Sequence, residues 1–124
     1  MYLIGSAHPH KADSQILLER LNAARERLVT DAEVLQEIVH RYAAIDKRDS
    51  ISLAFRTLLD IVDDVLSVGK SEVLRAGEIA HLNHSISARD AVHIAVMEHH
   101  AIRSVLSFDA DFDRWPGIKR IHRI

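Results

Sequence analysis

A chain of 124 residues, 48% hydrophobic and 27% charged, has material for one folded domain and not two, and is too apolar for a disordered tail. Sixteen Lys and Arg against eighteen Asp and Glu leave a net charge of −2, so no global basic field draws the protein to nucleic acid or membrane. The absence of cysteine excludes disulfide scaffolds, thiolate zinc sites and thiol nucleophiles. No signal peptide is visible in Met1 to His10 and no apolar run approaches the roughly 18 residues of a membrane span, so a cytoplasmic setting without membrane contact is the expectation.

Met1-Tyr2-Leu3-Ile4-Gly5 reads like the tail of an element whose beginning is absent. After a turn from Gly5 to Pro9, Ala12 to Ala24 carries Ile16, Leu17, Leu21 and Ala24 at helical spacing. Arg27-Leu28-Val29-Thr30 is too short for a helix and reads as a buried strand ending at Thr30. Thr30 or Asp31 caps the next helix, whose apolar stripe is Val34, Leu35, Ile38 and Tyr42. Beyond the charged turn Asp46-Lys47-Arg48-Asp49, a helix is predicted through Ile51, Ala54, Phe55, Leu58 and Val62. Val65 to Val68 reads as a strand stopped by Gly69, and Ser71 opens a helix to about His84. Ser87-Ala88-Arg89-Asp90 has capping-box spacing and opens a small-residue helix through Ala91, Val92, Ala95 and Val96. Ser104 to Ser107 is a further strand, Phe108 to Gly117 a polar loop, and Ile118 to Ile121 a last short strand. Strands alternating with helices predict an α/β fold, a parallel β-sheet flanked by helices.

In such a sheet ligands bind beyond the carboxyl ends of the strands. Those positions are acidic here: Asp31, Glu33 and Glu37 after one strand, Asp90 at the start of the small-residue helix, and Asp109, Asp111 and Asp113 after another. Two carboxylates forced to about 4 Å repel by roughly 4 kcal/mol at an effective dielectric near 20, and a hard divalent cation is the usual offset. Acids near helix starts also favour the helix dipole, and loop Asp residues also solvate turns, so spacing alone leaves both roles open. Among the nine His residues, His40 follows Glu37 by three positions and His93 follows Asp90 by three, where either side chain can orient a carboxylate. No Ser-His-Asp set, Walker loop or His-Glu-x-x-His spacing is present.

Three blocks taken in order, Leu28-Val29-Thr30-Asp31-Ala32-Glu33-Val34-Leu35-Gln36-Glu37 with His40-Arg41-Tyr42, Ser87-Ala88-Arg89-Asp90-Ala91-Val92-His93, and Leu106-Ser107-Phe108-Asp109-Ala110-Asp111-Phe112, resemble PIN-domain ribonucleases of the VapC toxin type. The resemblance runs from about Tyr2 to Ile121. It implies a single PIN-like domain over residues 1–124 and a metal-dependent endoribonuclease toxin of a type II toxin-antitoxin pair. Glu37, Asp90 and Asp109 match the family's metal-holding acids, for Mg²⁺ or Mn²⁺, and Asp111 is the acid some relatives use beside or instead of the last. Glu33 matches a position that is not reliably acidic. The family's fourth acid belongs to its first, central strand, in a Val-Asp-Thr-Asn-like segment that this sequence lacks. Tyr2-Leu3-Ile4-Gly5 with His8-Pro9 instead resembles the segment about a helical turn beyond that aspartate. The expectation is therefore an N-terminally short domain that starts inside the first helix, with the first central strand missing.

The resemblance further implies an RNA substrate cut by water to leave a 3′ hydroxyl and a 5′ phosphate, a homodimer, and a cognate antitoxin protein over the acidic pocket. Basic residues to grip RNA are Arg41, Lys47, Arg48 and Arg89 near the carboxyl-end rim, and Arg114, Lys119, Arg120 and Arg123 in the tail. The rival reading is a catalytically silent PIN-like module that pairs with an antitoxin or with itself. The same carboxylate chemistry would also serve a phosphatase or a DNA nuclease.

Overall fold

A computed structural model of the chain describes residues 1–5, 19–21, 23–106, 113 and 115–121. Five strands, β1 (Tyr2–Ile4), β2 (Leu28–Asp31), β3 (Asp64–Leu66), β4 (Ser104–Leu106) and β5 (Lys119–Ile121), form one sheet in the order β3-β2-β1-β4-β5, with every pairing parallel. The described helices of a turn or more are α1 (Ala32–Ala44), α2 (Ile51–Ile61), α3 (Lys70–Leu82) and α4 (Ala88–His99), with a 3₁₀ turn over Arg48–Ser50. Most of the helix predicted over Ala12 to Ala24 lies outside the described residues; Glu19, Arg20, Leu21 and Ala23 are helical.

The period-two alternation of the strands sorts side chains onto two faces. Leu3, Val29 and Val105 point to one face and meet Ala76 and Ile79 of α3 and Ala91, Ile94, Ala95 and Met97 of α4. Ile4, Leu28 and Leu106 point to the other and meet Val34 and Ile38 of α1 and Leu58 of α2. Both faces are thus covered, which parallel strands require because each crossover helix packs back onto the sheet. Ala91 and Ala95 let α4 lie close to α3, and outside that seam Arg75 forks onto Glu98 at 2.8 and 3.2 Å and reaches Glu78 at 3.1 Å.

One sequence expectation fails here. The central lane of the sheet is not empty: Tyr2–Ile4 occupies it, paired to Leu28–Val29 on one side and to Ser104–Leu106 on the other. Neither does this segment begin a helix. The physical reason is the open lane between β2 and β4, whose facing backbone groups need partners. A run of three apolar residues, with Leu3 fully buried, fills that lane and satisfies both neighbours. The strand is stitched in further by Thr30, whose Oγ1 hydroxyl donates to the Ile4 carbonyl at 2.7 Å. The strand carries no acid, and just beyond it Gly5 is buried and donates its N–H to the Leu106 carbonyl at 3.2 Å.

Candidate active site

The carboxyl edge of the sheet is organised by a joint of no length between β2 and α1. Asp31 is the last residue of the strand and the N-cap of the helix, so the strand runs one residue further than Thr30. Its backbone is extended (φ −129°, ψ 170°), and its Oδ1 accepts the Val34 N–H at 3.2 Å, satisfying one of the four donors a helix start leaves open. The other oxygen has a distant partner: His93 Nδ1–H donates to Asp31 Oδ2 at 2.6 Å, across 62 residues of sequence. Both side chains are fully shielded from solvent.

α4 enters the site from the other face. Ser87 caps it, its Oγ accepting the Asp90 N–H at 3.2 Å, as the capping-box spacing predicts. Asp90 and His93, three residues apart and both buried, lie on the inward side of the helix. Arg89, one residue earlier, is half exposed and reaches across to α1, with Nη1 3.2 Å from Glu37 Oε1.

Charge is dense in this cleft. Burial, with the negative charges of Asp31 and Glu37, holds the Glu33 carboxyl above the usual glutamate range; His93 and Arg89 pull against that shift without cancelling it. For His93, burial is the largest influence and opposes the imidazolium. The Asp31 hydrogen bond and the charges of Asp31, Asp90 and Glu33 together outweigh it, so the ring keeps its proton to a higher pH than an ordinary histidine.

Of the acids predicted as site residues, Glu37 and Asp90 fall on the facing helices α1 and α4, while Asp109 and Asp111 lie outside the described residues. Among the described residues no three His, Asp or Glu side chains converge as a metal site. One atom nevertheless suits a cation: Glu37 Oε2 is shielded from solvent and has no hydrogen-bond partner among the described residues, so the carboxylate is only half satisfied. His93 orients a carboxylate as its position suggested, through a hydrogen bond to Asp31. His40 is exposed on α1. In the tail, Arg120 pairs with Asp113, at 3.1 and 3.0 Å; Lys119 is exposed, and Arg114 and Arg123 lie outside the described residues.

A family model described as the PIN domain matches residues 1–118. The chain belongs to the PIN-domain family. Within it, the chain is 53% identical over 121 residues to Ribonuclease VapC13 of Mycobacterium tuberculosis, a match covering 98% of this chain and 92% of that protein. Ribonuclease VapC23 of the same species is 28% identical over 109 residues, covering 88% of this chain and 86% of that one. Among solved structures, the VapBC2 complex of Rickettsia felis bound to a promoter DNA fragment contains a chain that superposes with a TM-score of 0.74 at 14% identity, over 97% of this chain and 96% of that one. VapC20 of Mycobacterium tuberculosis, a sarcin-ricin loop cleaving toxin, superposes at 0.69 with 23% identity, over 91% and 92%.

For a PIN domain of the VapC branch, two members of the cleft went unassigned by sequence reasoning. Asp31 was legible as a helix cap and as one of the acids at the carboxyl edge, but its bond to His93 was not. Glu33 shares the α1 face of Glu37, one turn away, and its raised carboxyl marks it as part of the same charge cluster.

Proposed function

We propose that this PIN-domain protein is an endoribonuclease, the toxin of a type II toxin-antitoxin pair, and that its RNA hydrolysis depends on Mg²⁺ or Mn²⁺. The observation that carries the reading is the 53% identity to a VapC ribonuclease over 121 residues, a span that includes the three acidic blocks. Glu37, Asp90 and Asp109, with Asp111 beside them, would hold the cation. When bound, it supplies Lewis acidity and charge neutralisation at the scissile phosphate. The chain's own part is to aim and support these acids. Ser87 fixes the first turn of α4 and so the backbone of Asp90, while the Asp31–His93 pair ties the start of α1, four to six residues before Glu37, to the same helix. The working unit is taken as one domain over residues 1–124, acting in the cytoplasm as a homodimer, with an antitoxin protein as its partner.

A second reading, a catalytically silent PIN module that pairs with an antitoxin, is favoured by the central strand Tyr2–Ile4, which carries no carboxylate although the family's fourth acid belongs to its central strand. One experiment separates the two. Purified chain incubated with single-stranded RNA and Mn²⁺ is expected to cleave it, and Asp90→Asn is expected to lower the rate at least about a hundredfold. Cleavage that persists in EDTA, or no cleavage by the wild-type chain while an antitoxin still binds, refutes the enzyme reading.

A further inference from the structure

Arg89 and Glu37 are unequal partners. The carboxylate is 15% exposed and belongs to the cleft, whereas the guanidinium is 44% exposed and sits at its mouth, in the first turn of α4. Their 3.2 Å contact engages one guanidinium nitrogen, although the group carries five N–H donors in a planar fork. It engages one carboxylate oxygen, and the other, Oε2, is shielded and without a hydrogen-bond partner among the described residues. Neither group is therefore used to capacity by the other.

A monodentate pair at a cleft mouth is weak, because the exposed partner keeps access to water and salt. A divalent cation brought to Glu37 competes with the guanidinium on charge and satisfies the second oxygen as well. The released arginine stays tethered beside the acids by the capped start of α4, and its fork matches the oxygens of a phosphate group. A chain with a net charge of −2 needs such a local cation to hold a polyanion against the acidic cleft.

Resting on the metal-dependent ribonuclease reading above, we propose that Arg89 and the divalent cation share Glu37 in turn: Arg89 holds the carboxylate while the cation is absent, and the cation's arrival frees Arg89 to grip a phosphate of the RNA. Arg89 is thus a substrate-binding residue whose availability is set by metal occupancy.

The test uses the full chain and Mn²⁺ alone, with the free ion followed by electron paramagnetic resonance, and separately the cleavage kinetics of a fluorescein-labelled single-stranded RNA at saturating Mn²⁺. Arg89→Ala is expected to bind Mn²⁺ about fivefold more tightly than wild type, since a competing charge is gone. The gain is expected to shrink to less than about twofold on a Glu37→Gln background, where there is no carboxylate to share. The same variant is expected to raise KM about tenfold with kcat changed less than about twofold, and to lower the salt dependence of RNA binding by about one phosphate contact. Arg89→Lys keeps the charge and hence the fold, and is expected to hold Mn²⁺ affinity near wild type while still raising KM, because the fork is lost. Unchanged or weaker Mn²⁺ binding by Arg89→Ala, an equal gain on the Glu37→Gln background, or an unchanged KM overturns the proposal and leaves the ribonuclease reading standing. Failure of the wild-type chain to bind Mn²⁺ overturns both.

Discussion

The Asp31–His93 pair concentrates the energetics of the site in two side chains. Both are fully buried, so removing one partner leaves the other without its counter-group, at a cost of about 3 kcal/mol. Asp31→Asn keeps a capping oxygen for Val34, and His93→Gln keeps a donor, so these substitutions weigh the pairing more than the packing. In urea unfolding each single variant is expected to lose about 3 kcal/mol and the double variant clearly less than the sum. The pH dependence has a definite sign. A histidine whose folded pKa is raised contributes stability that is complete below the ordinary imidazole value of about 6.5 and fades as pH climbs through the folded value. The advantage of wild type over His93→Gln is therefore expected to be larger near pH 6 than near pH 9. A difference that grows with pH contradicts a charged His93.

Among the elements, α4 carries the most. Its inward side meets α3 and the sheet, its first turn presents Arg89 and Asp90, and its middle supplies His93. Ser87 holds that first turn through the Asp90 N–H, so Ser87→Ala is expected to cost about 1 kcal/mol in thermal or urea unfolding, while Ser87→Asp, which keeps a capping oxygen, stays near wild type. This start was legible in the sequence because capping is local: the cap and the N–H it serves lie three residues apart. The apolar stripes of α1 and α2 were legible for the same reason, with Ile38 and Leu58 buried at their expected places. The partnership of Asp31 with His93 was not, since it depends on two elements meeting across the carboxyl edge. Glu37 was recognised from its block, but its engagement by Arg89 is likewise a product of α1 and α4 coming together.

At the scale of the whole molecule, the one architectural misreading has a physical lesson. Three residues cannot display a period, and Tyr2-Leu3-Ile4 taken alone fits the edge of a helix as well as a strand. What makes them a strand is the pair of neighbours, β2 and β4, that lie 26 and about 100 positions away in register. Leu3 has no solvent exposure between them, so Leu3→Ala is expected to cost about 2–5 kcal/mol, read as a lower urea midpoint with the slope unchanged. A midpoint shift under about 1 kcal/mol would show that the central lane does not depend on this strand.

The same pairing sets an order of events during synthesis. Leu3 is registered against Val105, so the middle of the sheet closes only after residues 104–106 have left the ribosome, and closure over so long a loop is slow. The acids of α1 and α4 are aligned through that sheet, so a nascent chain carries Glu33 and Glu37 of α1 well before their alignment with Asp90 is complete. Translation itself thus imposes a delay between the exposure of the first acids and the closing of the sheet that aligns them.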